Sequence, residues 1–458
     1  MTASGSTWRN WGRTEAVRPA RVERPATPEA VQRAVLAAGR SRMRLKAVGA
    51  GHSFTGIALA PGVQLDLDDL SGIVSVDQER NRVTFAAGTR LHQLPGLLAP
   101  YGLAMTNMGD IDRQSIAGAI STGTHGTGGR FGGIATQVRG VTLVTASGEF
   151  LRISETENAD LLPAAALGLG ALGVMVDVTL QLEPAFVMQA VERPEPFDTV
   201  LDEYLERSRS IDHFEFYWFP HTDTALTKTN TRLPGDAELQ PLGRLSRWVD
   251  DELIANGAYR ALCALGRMMP STVPSTARLA ERFSGNRDFT DRSTSVVISN
   301  RTVRFREMEY ARPREAVPHA VRAVRAMIER NGWRISFPME VRSAAADDLW
   351  LSTASGRESG YIAVHRYFRE DQRAYFAAVE AIMRAHDGRP HWGKMHGLDA
   401  PELATMYPRF QDFVALRDRL DPSGMFANPY LDRVLGLAPE RPSPGGGRLA
   451  HHESGNRG

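Results

Sequence analysis

Apolar residues recur at helical spacing along 30–38, directly after Thr27-Pro28-Glu29, where a hydroxyl cap, a fixed φ and an acidic first turn suit a helix start. Short apolar runs flank this segment, so 22–66 reads as strand, helix, strand, with 44–48 as the returning strand. From 63 to 182 the pattern changes to short strands with glycine punctuation, at 74–76, 83–86, 138–145 and 174–182. After Pro184 it changes again. Alternation in His213-Phe-Glu-Phe-Tyr-Trp-Phe219 predicts a strand, 240–285 reads as helical and irregular, and further strands are predicted at 295–310, 335–342 and 361–367. The class is α+β, with a second, substrate-facing domain after Pro184.

A chain of 458 residues exceeds the size at which single cores stop growing, so two or more domains sharing a cleft are expected. Charge is balanced, with 54 Lys and Arg against 53 Asp and Glu and no basic run interleaved with aromatics, which removes a nucleic-acid partner. The single cysteine, Cys263, excludes an internal disulfide framework and a cysteine-based metal cluster, and suits a reducing cytoplasm. Residues 1–30 lack the apolar core of a signal peptide, and no apolar stretch is long enough to span a bilayer, so membrane contact is peripheral at most. Residues 437–458, rich in Pro, Gly, Ser, Arg and His, read as a disordered tail, and no metal role is assigned to His451 and His452 within it.

Two glycine-dense stretches stand out, Val48-Gly-Ala-Gly-His-Ser-Phe-Thr55 and the segment 109–133 containing Thr122-Gly-Thr-His-Gly-Thr-Gly-Gly129. Glycine lets backbone amides approach phosphate oxygens, and nearby hydroxyls add donors, so two such loops suit a pyrophosphate; either loop alone is equally an ordinary set of tight turns. Gly168, Gly170 and Gly173 form a Gly-x-Gly-x-x-Gly pattern, but a helical segment precedes it and the strand-like 174–182 follows, the reverse of a nicotinamide-binding unit.

Taken in order, 44–48 running into Gly49-Ala-Gly-His-Ser-Phe54, then Gly109-Asp110, the stretch Gly118-Ala-Ile-Ser-Thr-Gly-Thr-His-Gly-Thr-Gly128, and Leu169-Gly-Ala-Leu-Gly-Val174 resemble the FAD-binding domain of the vanillyl-alcohol oxidase family. Phe337-Pro-Met-Glu-Val-Arg342, Tyr361-Ile-Ala-Val-His365, Pro390-His-Trp-Gly-Lys394 and Phe426-Ala-Asn-Pro-Tyr430 resemble its aldonolactone oxidoreductase branch. The resemblance covers about 8–436. It implies a two-subdomain FAD-binding domain over 8–184, an α+β cap over 185–387 and a segment 388–436 that returns to the flavin. It further implies FAD contacts from Val48, Gly49, Ala50, Gly51, His52, Ser53, Gly109, Asp110, Ser115, Gly118, Ser121, Thr122, Gly123, His125, Gly126, Gly128, Gly173, Val174, Lys394 and Asn428.

His52 matches the histidine that, in histidyl-flavin members of that branch, is bonded covalently to the flavin; the alternative is a loop histidine that only hydrogen-bonds. The implied chemistry is oxidation of a CH–OH group on a sugar lactone, with an alditol oxidase or a non-catalytic flavin module as alternatives, and with oxygen, a quinone or a cytochrome as acceptor. Glu340 and Arg342, two apart on a strand, share a face and can position a polyhydroxylated substrate, although a solvated ion pair fits the same spacing. Lys394 is expected to stabilise negative charge at the flavin edge. His365 shares parity with Tyr361 and Ala363 and either lines the same cavity or is a satisfied core histidine.

Overall fold

The computed structural model describes residues 6–243, 259–282, 285–299 and 303–438. The helix Pro28–Arg40 starts as expected: Thr27 caps it by accepting from the Ala30 amide, and its Val31, Ala34, Val35 and Ala38 are buried. The strands on either side form a three-stranded parallel sheet in the order Arg21–Glu23, Val63–Asp66, Leu45–Val48. A five-stranded antiparallel sheet follows, ordered Phe150–Ser154, Val138–Val144, Val174–Gln181, Arg82–Ala86, Ile73–Asp77. The strand at 45–48 and four of the five antiparallel strands stand where the sequence placed them, with ends moved by one residue, whereas Val63–Asp66 and Phe150–Ser154 were not separately expected.

An antiparallel eight-stranded sheet dominates the rest, ordered Arg287–Arg292, Val187–Pro196, Thr224–Leu233, His213–Trp218, Met339–Ala344, Ser359–Tyr367, Phe305–Pro313, Arg389–Pro390. The helices Phe197–Ser210, Val317–Arg330 and Arg373–Arg384 pack on its central strands through buried stripes that include Tyr204, Val324 and Val379. Alternation along each strand sends Val341 to the core and Glu340 and Arg342 to the opposite side. Register aligns those opposite-side residues: Tyr217 pairs with Glu340, Glu340 with Ala363, and Ala363 with Glu309, while His365 pairs with Glu307 and Arg342 with Tyr361.

The expectation of strand throughout 295–310 is corrected. Ser293–Val297 is a short helix packed on Val187–Pro196 and Arg287–Arg292, and the strand begins at Phe305. The pair Val296-Val297 has strand propensity, but this packing overrides it. Within 240–285 the described helices are Tyr259–Met268 and Val273–Arg282. Of the expected disordered tail, residues 439–458 lie outside the described residues. No helix among the described residues is long and apolar enough to cross a membrane.

The C-terminal stretch is tied to the first sheet. The Leu45 amide donates to the Met425 carbonyl at 2.8 Å, and the Phe54 amide to the Gly393 carbonyl at 2.6 Å. Asn428, fully buried, donates to the carbonyls of Gly56, Ile57 and Leu59 and accepts from the Leu431 amide, capping the helix Pro429–Leu435. Truncating it strands these buried groups, each unpaired one costing about 1–3 kcal/mol. Asn428→Ala is expected to lower stability by roughly 2–4 kcal/mol, read as a drop in the urea midpoint; an unchanged midpoint contradicts this role.

Candidate active site

A cleft of about 1110 Å³ is lined on one side by 45–53 of the parallel-sheet unit and on the other by Ser115, Gly118, Ser121, Thr122, Leu143 and the 168–175 turn. Close approach dictates glycine here: a Cβ on Gly49 would lie 2.3 Å from Ser115 Oγ, and Gly51 has φ +69°. Lys46 lies along the cleft with its Nζ donating to the carbonyls of Leu169, Gly170 and Phe426, which joins three segments; burial pushes this ammonium down to about 7.

A second cavity of about 580 Å³ is lined by Trp11, Gly109, Asp110, Gln114, Thr124, His125, Glu309, Arg342, His391 and Lys394, among others. His52, Ser53, Gln114 and Thr122 line both cavities, so His52 stands where they meet. Its ring stacks 5.8 Å from Trp11, and burial, with Lys394, Arg90 and Arg113 adding to it, holds the imidazole down to about 4. At neutral pH His52 is therefore uncharged, with a nitrogen lone pair available.

The sheet face above this cavity carries buried charge, all of it paired. Arg342 meets Glu340, Glu215 (3.1 Å) and Asp110 (3.3 Å), and the Tyr217 hydroxyl donates to Glu340 Oε1 at 2.7 Å. Lys394 pairs with Glu307; burial alone would depress its ammonium, but Glu307 and Glu309 more than offset this and raise it. Glu307 would be raised by burial, yet Lys394 and His365 hold it well below the usual carboxylate range. His125 Nε2 lies 3.2 Å from Glu309 Oε1.

Of the expected FAD contacts, 48–53, Ser115, Gly118, Ser121, Thr122, Gly173 and Val174 line the cleft, and Gly109, Asp110, His125 and Lys394 line the second cavity. Neither cavity is lined by Gly123, Gly126, Gly128 or Asn428. A Cβ on Gly126 would strike the Met108 carbonyl at 2.1 Å, Gly128 donates to the Ser343 carbonyl of the large sheet, Gly123 turns with φ +79°, and Asn428 is a cap. At those glycines the missing side chain answers a close approach or a turn. Arg342 reaches the second cavity, whereas Glu340 lies behind it and His365 is buried with Nδ1 against the Pro338 carbonyl and Nε2 3.6 Å from Glu307. Glu215, Tyr217, Glu307, Glu309 and His391 were not anticipated; polar residues at one parity of otherwise apolar strands were the signal of the first four, whereas His391 follows the short strand Arg389–Pro390. Cys263, distant in sequence, packs in a cluster with Phe54, and burial pushes its thiol up to about 12, an inert state.

Residues 19–154 match the model of an FAD-binding domain, and the fold follows the cholesterol oxidase of Brevibacterium sterolicum with a TM-score of 0.81 at 17% identity, covering 95% of this chain and 97% of that one. The cleft is thus that of an FAD-dependent oxidoreductase. More narrowly, the chain belongs to the D-arabinono-1,4-lactone oxidase family, whose model matches residues 178–434. It is 41% identical to an L-gulono-1,4-lactone dehydrogenase of Mycobacterium tuberculosis over 94% of this chain and 99% of that one. It is 33% identical to the L-gulonolactone oxidase of Bos taurus (94% and 98% covered) and to an alditol oxidase of Streptomyces sp. (93% and 98%).

Four buried histidines share one titration consequence. Burial holds His52, His213 and His391 at about 4 and His396 at about 3, against about 6.5 unfolded. Between those values the unfolded chain binds more protons, so stability falls as pH falls below about 6.5, and His396 with the depressed carboxylates Glu307 and Glu309 carries the loss on below 4. Asp347, raised by burial to about 6, and Glu15, Asp177 and Glu370, raised by burial as well, oppose this over part of the range, while His221, lowered by burial, adds to it. Denaturant midpoints of the FAD-free protein are expected to fall steadily from pH 6.5 to 4; a flat profile there means that these rings titrate normally.

Proposed function

We propose that the protein oxidises a CH–OH group of a neutral sugar lactone, of the L-gulono-1,4-lactone or D-arabinono-1,4-lactone type, with an alditol as the second choice. The carrying observation is that one cavity wall brings Arg342, inside its cage of Asp110, Glu215 and Glu340, together with Lys394, and that this cavity opens on His52. On this reading 8–184 holds FAD, 185–387 forms the cap and 388–436 closes the site from behind. FAD, when bound, supplies the two-electron acceptor for the departing hydride.

The chain's own groups divide the remaining work. The carboxylate of Asp110 accepts hydrogen bonds from substrate hydroxyls, and Arg342, held in place by Glu340 and Glu215 behind it, donates in turn. The raised Lys394 ammonium stays charged at neutral pH and presents positive charge where negative charge grows during hydride loss. His52, kept neutral, has the nucleophilic nitrogen that a covalent bond to the flavin requires, and the family names of the relatives support the lactone. Oxygen, a quinone or a cytochrome then removes the electrons, in a reducing cytoplasmic setting that suits the single cysteine, with peripheral membrane contact at most.

Two measurements test this reading. Yellow colour is expected to stay with the polypeptide after acid precipitation and to be released from His52→Ala; release from wild type defeats the covalent bond. In single-turnover bleaching with lactones and polyols, Lys394→Ala, fully loaded with FAD, is expected to be reduced about 100-fold more slowly with little change in substrate affinity. Glu340→Gln is expected to weaken affinity as well. Reduction of Lys394→Ala at the wild-type rate removes the lysine from the reaction, and reoxidation of the bleached enzyme under air or with a quinone identifies the acceptor.

A further inference from the structure

Residues 8–17 form a hairpin of their own. Trp8 and Arg9 pair with Val17 and Ala16, the two strands join no larger sheet, and Asn10, 2% exposed, closes the turn by accepting from the Glu15 amide and donating to Thr14 Oγ1. Three hydrogen bonds from this hairpin reach the loop that carries His52. The Trp11 amide donates to the Gly51 carbonyl at 2.8 Å, Asn10 Nδ2 to the Ser53 carbonyl at 2.9 Å, and Thr14 Oγ1 to the Phe54 carbonyl at 2.8 Å. The Phe54 amide, in turn, donates to the Gly393 carbonyl of the C-terminal stretch.

Hairpin and loop are in direct ring-to-backbone contact: a Cβ on Gly51 would lie 2.9 Å from Trp8 Cζ2, and one on Gly12 2.7 Å from Phe54 Cδ1. With carbonyls taken on both sides of His52, its backbone has little freedom left. The Trp11 ring then stacks on the imidazole, with centroids 5.8 Å apart and planes 24° apart. Trp11 is itself fixed, since Phe305 of the large sheet meets it edge-on at 5.1 Å, Phe54 does so at 6.0 Å, and the Arg304 guanidinium lies 5.7 Å from its ring. Any apolar side chain could cover the loop, whereas a flat ring held by three neighbours also fixes how the imidazole turns, at the place where the two cavities meet.

We propose that this hairpin is a clamp that sets the orientation of His52, with Trp11 as the positioning residue, so that the imidazole is aimed before any cofactor arrives and its bond to the flavin forms from one pose. The clamp serves the histidyl-flavin reading above and rests on it. In that step a C–N bond replaces a C–H bond of a flavin methyl group and the N–H bond of the imidazole; the two electrons and both protons are taken up by the flavin ring system, and oxygen restores its oxidised state. Trp11 forms no bond here. It removes the orientations in which the nitrogen misses, and a misplacement of about 1 Å costs such a reaction about 100-fold.

Protein produced without FAD and then mixed with it gives the rate at which yellow colour becomes resistant to acid precipitation. Trp11→Ala is expected to slow that rate about tenfold or more, and Trp11→Phe, which keeps a flat ring, to recover most of it. Aiming is separated from binding in the His52→Ala background, where no bond forms: there Trp11→Ala is expected to leave the FAD dissociation constant within about twofold. The FAD-free protein adds a readout without cofactor, because the His52 ring protons, assigned by their loss in His52→Ala, are expected to be displaced by the indole ring current and to lose that displacement in Trp11→Ala. Attachment in Trp11→Ala at the wild-type rate, or a loss of FAD affinity in the double variant as large as the loss of rate, overturns the clamp. Should Trp11→Ala not fold, Thr14→Val, which keeps its shape and loses the donor to the Phe54 carbonyl, is expected to slow attachment, and a wild-type rate there overturns the clamp. Wild type that releases all its FAD on acid precipitation defeats the histidyl-flavin reading; the His52 resonances then judge the clamp, and overturn it if Trp11→Ala leaves them unmoved.

Discussion

An ionised carboxylate taken out of water without a partner is too costly for a fold to keep, and one wall here buries four: Glu215, Glu307, Glu309 and Glu340. Each is matched, by Arg342, Lys394 or His125, with Tyr217 adding a donor. The partners come from different parts of the chain. Arg342 shares a strand with Glu340, Lys394 arrives on the C-terminal stretch, and His125 comes from the FAD-binding half. The three parts therefore have to assemble together, because leaving any one out strands a charge in a low-dielectric interior, and the pairing ties the large sheet to the 124–128 segment and the C-terminal stretch more specifically than apolar packing alone can.

The cleft obeys a complementary constraint, close approach. Gly49 has no room for a Cβ beside Ser115, and Gly173, with φ +154°, would place one 2.8 Å from the Val144 carbonyl. Lys46 spans from the first sheet to the 168–175 turn and to Phe426, so a buried ammonium satisfied by carbonyls draws the two cleft walls and the C-terminal stretch together. Tight backbone approach lines the first cleft, the paired-charge wall lines the second cavity, and His52 stands at the point that both share.

Most of the fold was legible in the sequence, because helix and strand periods survive in a single chain. The cap at Thr27, the strands at 138–144 and 174–181 and the reversed glycine pattern at 168–173 all follow from local chemistry. Strand register was not legible, and it is register that sets Tyr217 beside Glu340 and Glu309 beside Ala363. Glu307 and Glu309 looked like ordinary strand polars until a neighbouring strand placed His365 and a distant turn placed His125 against them. Glycine was ambiguous for a related reason. Gly49 and Gly126 look alike in sequence, yet one lines the cleft and the other clears the Met108 carbonyl, since a missing Cβ records that something is close without recording what it is. Asn428 shows the same limit: a side chain with two donors and an acceptor suits a cofactor as well as it suits four backbone groups.

Charge is distributed unevenly along the wall, and the unevenness separates binding from chemistry. Around Arg342 three carboxylates meet one guanidinium, so that end is rich in acceptors and suits the donors of an uncharged polyhydroxylated substrate. Around Lys394 one ammonium meets Glu307, and His125 lies 3.2 Å from Glu309, so that end offers fewer free acceptors. On the proposed reading, charge developing beside Lys394 meets an ammonium fixed by Glu307, with no reorganisation required, while the acceptor-rich end keeps hold of hydroxyls that do not react. Had the same charges been spread evenly, each end would bind and each would repel, and the orientation of the substrate would be left undetermined.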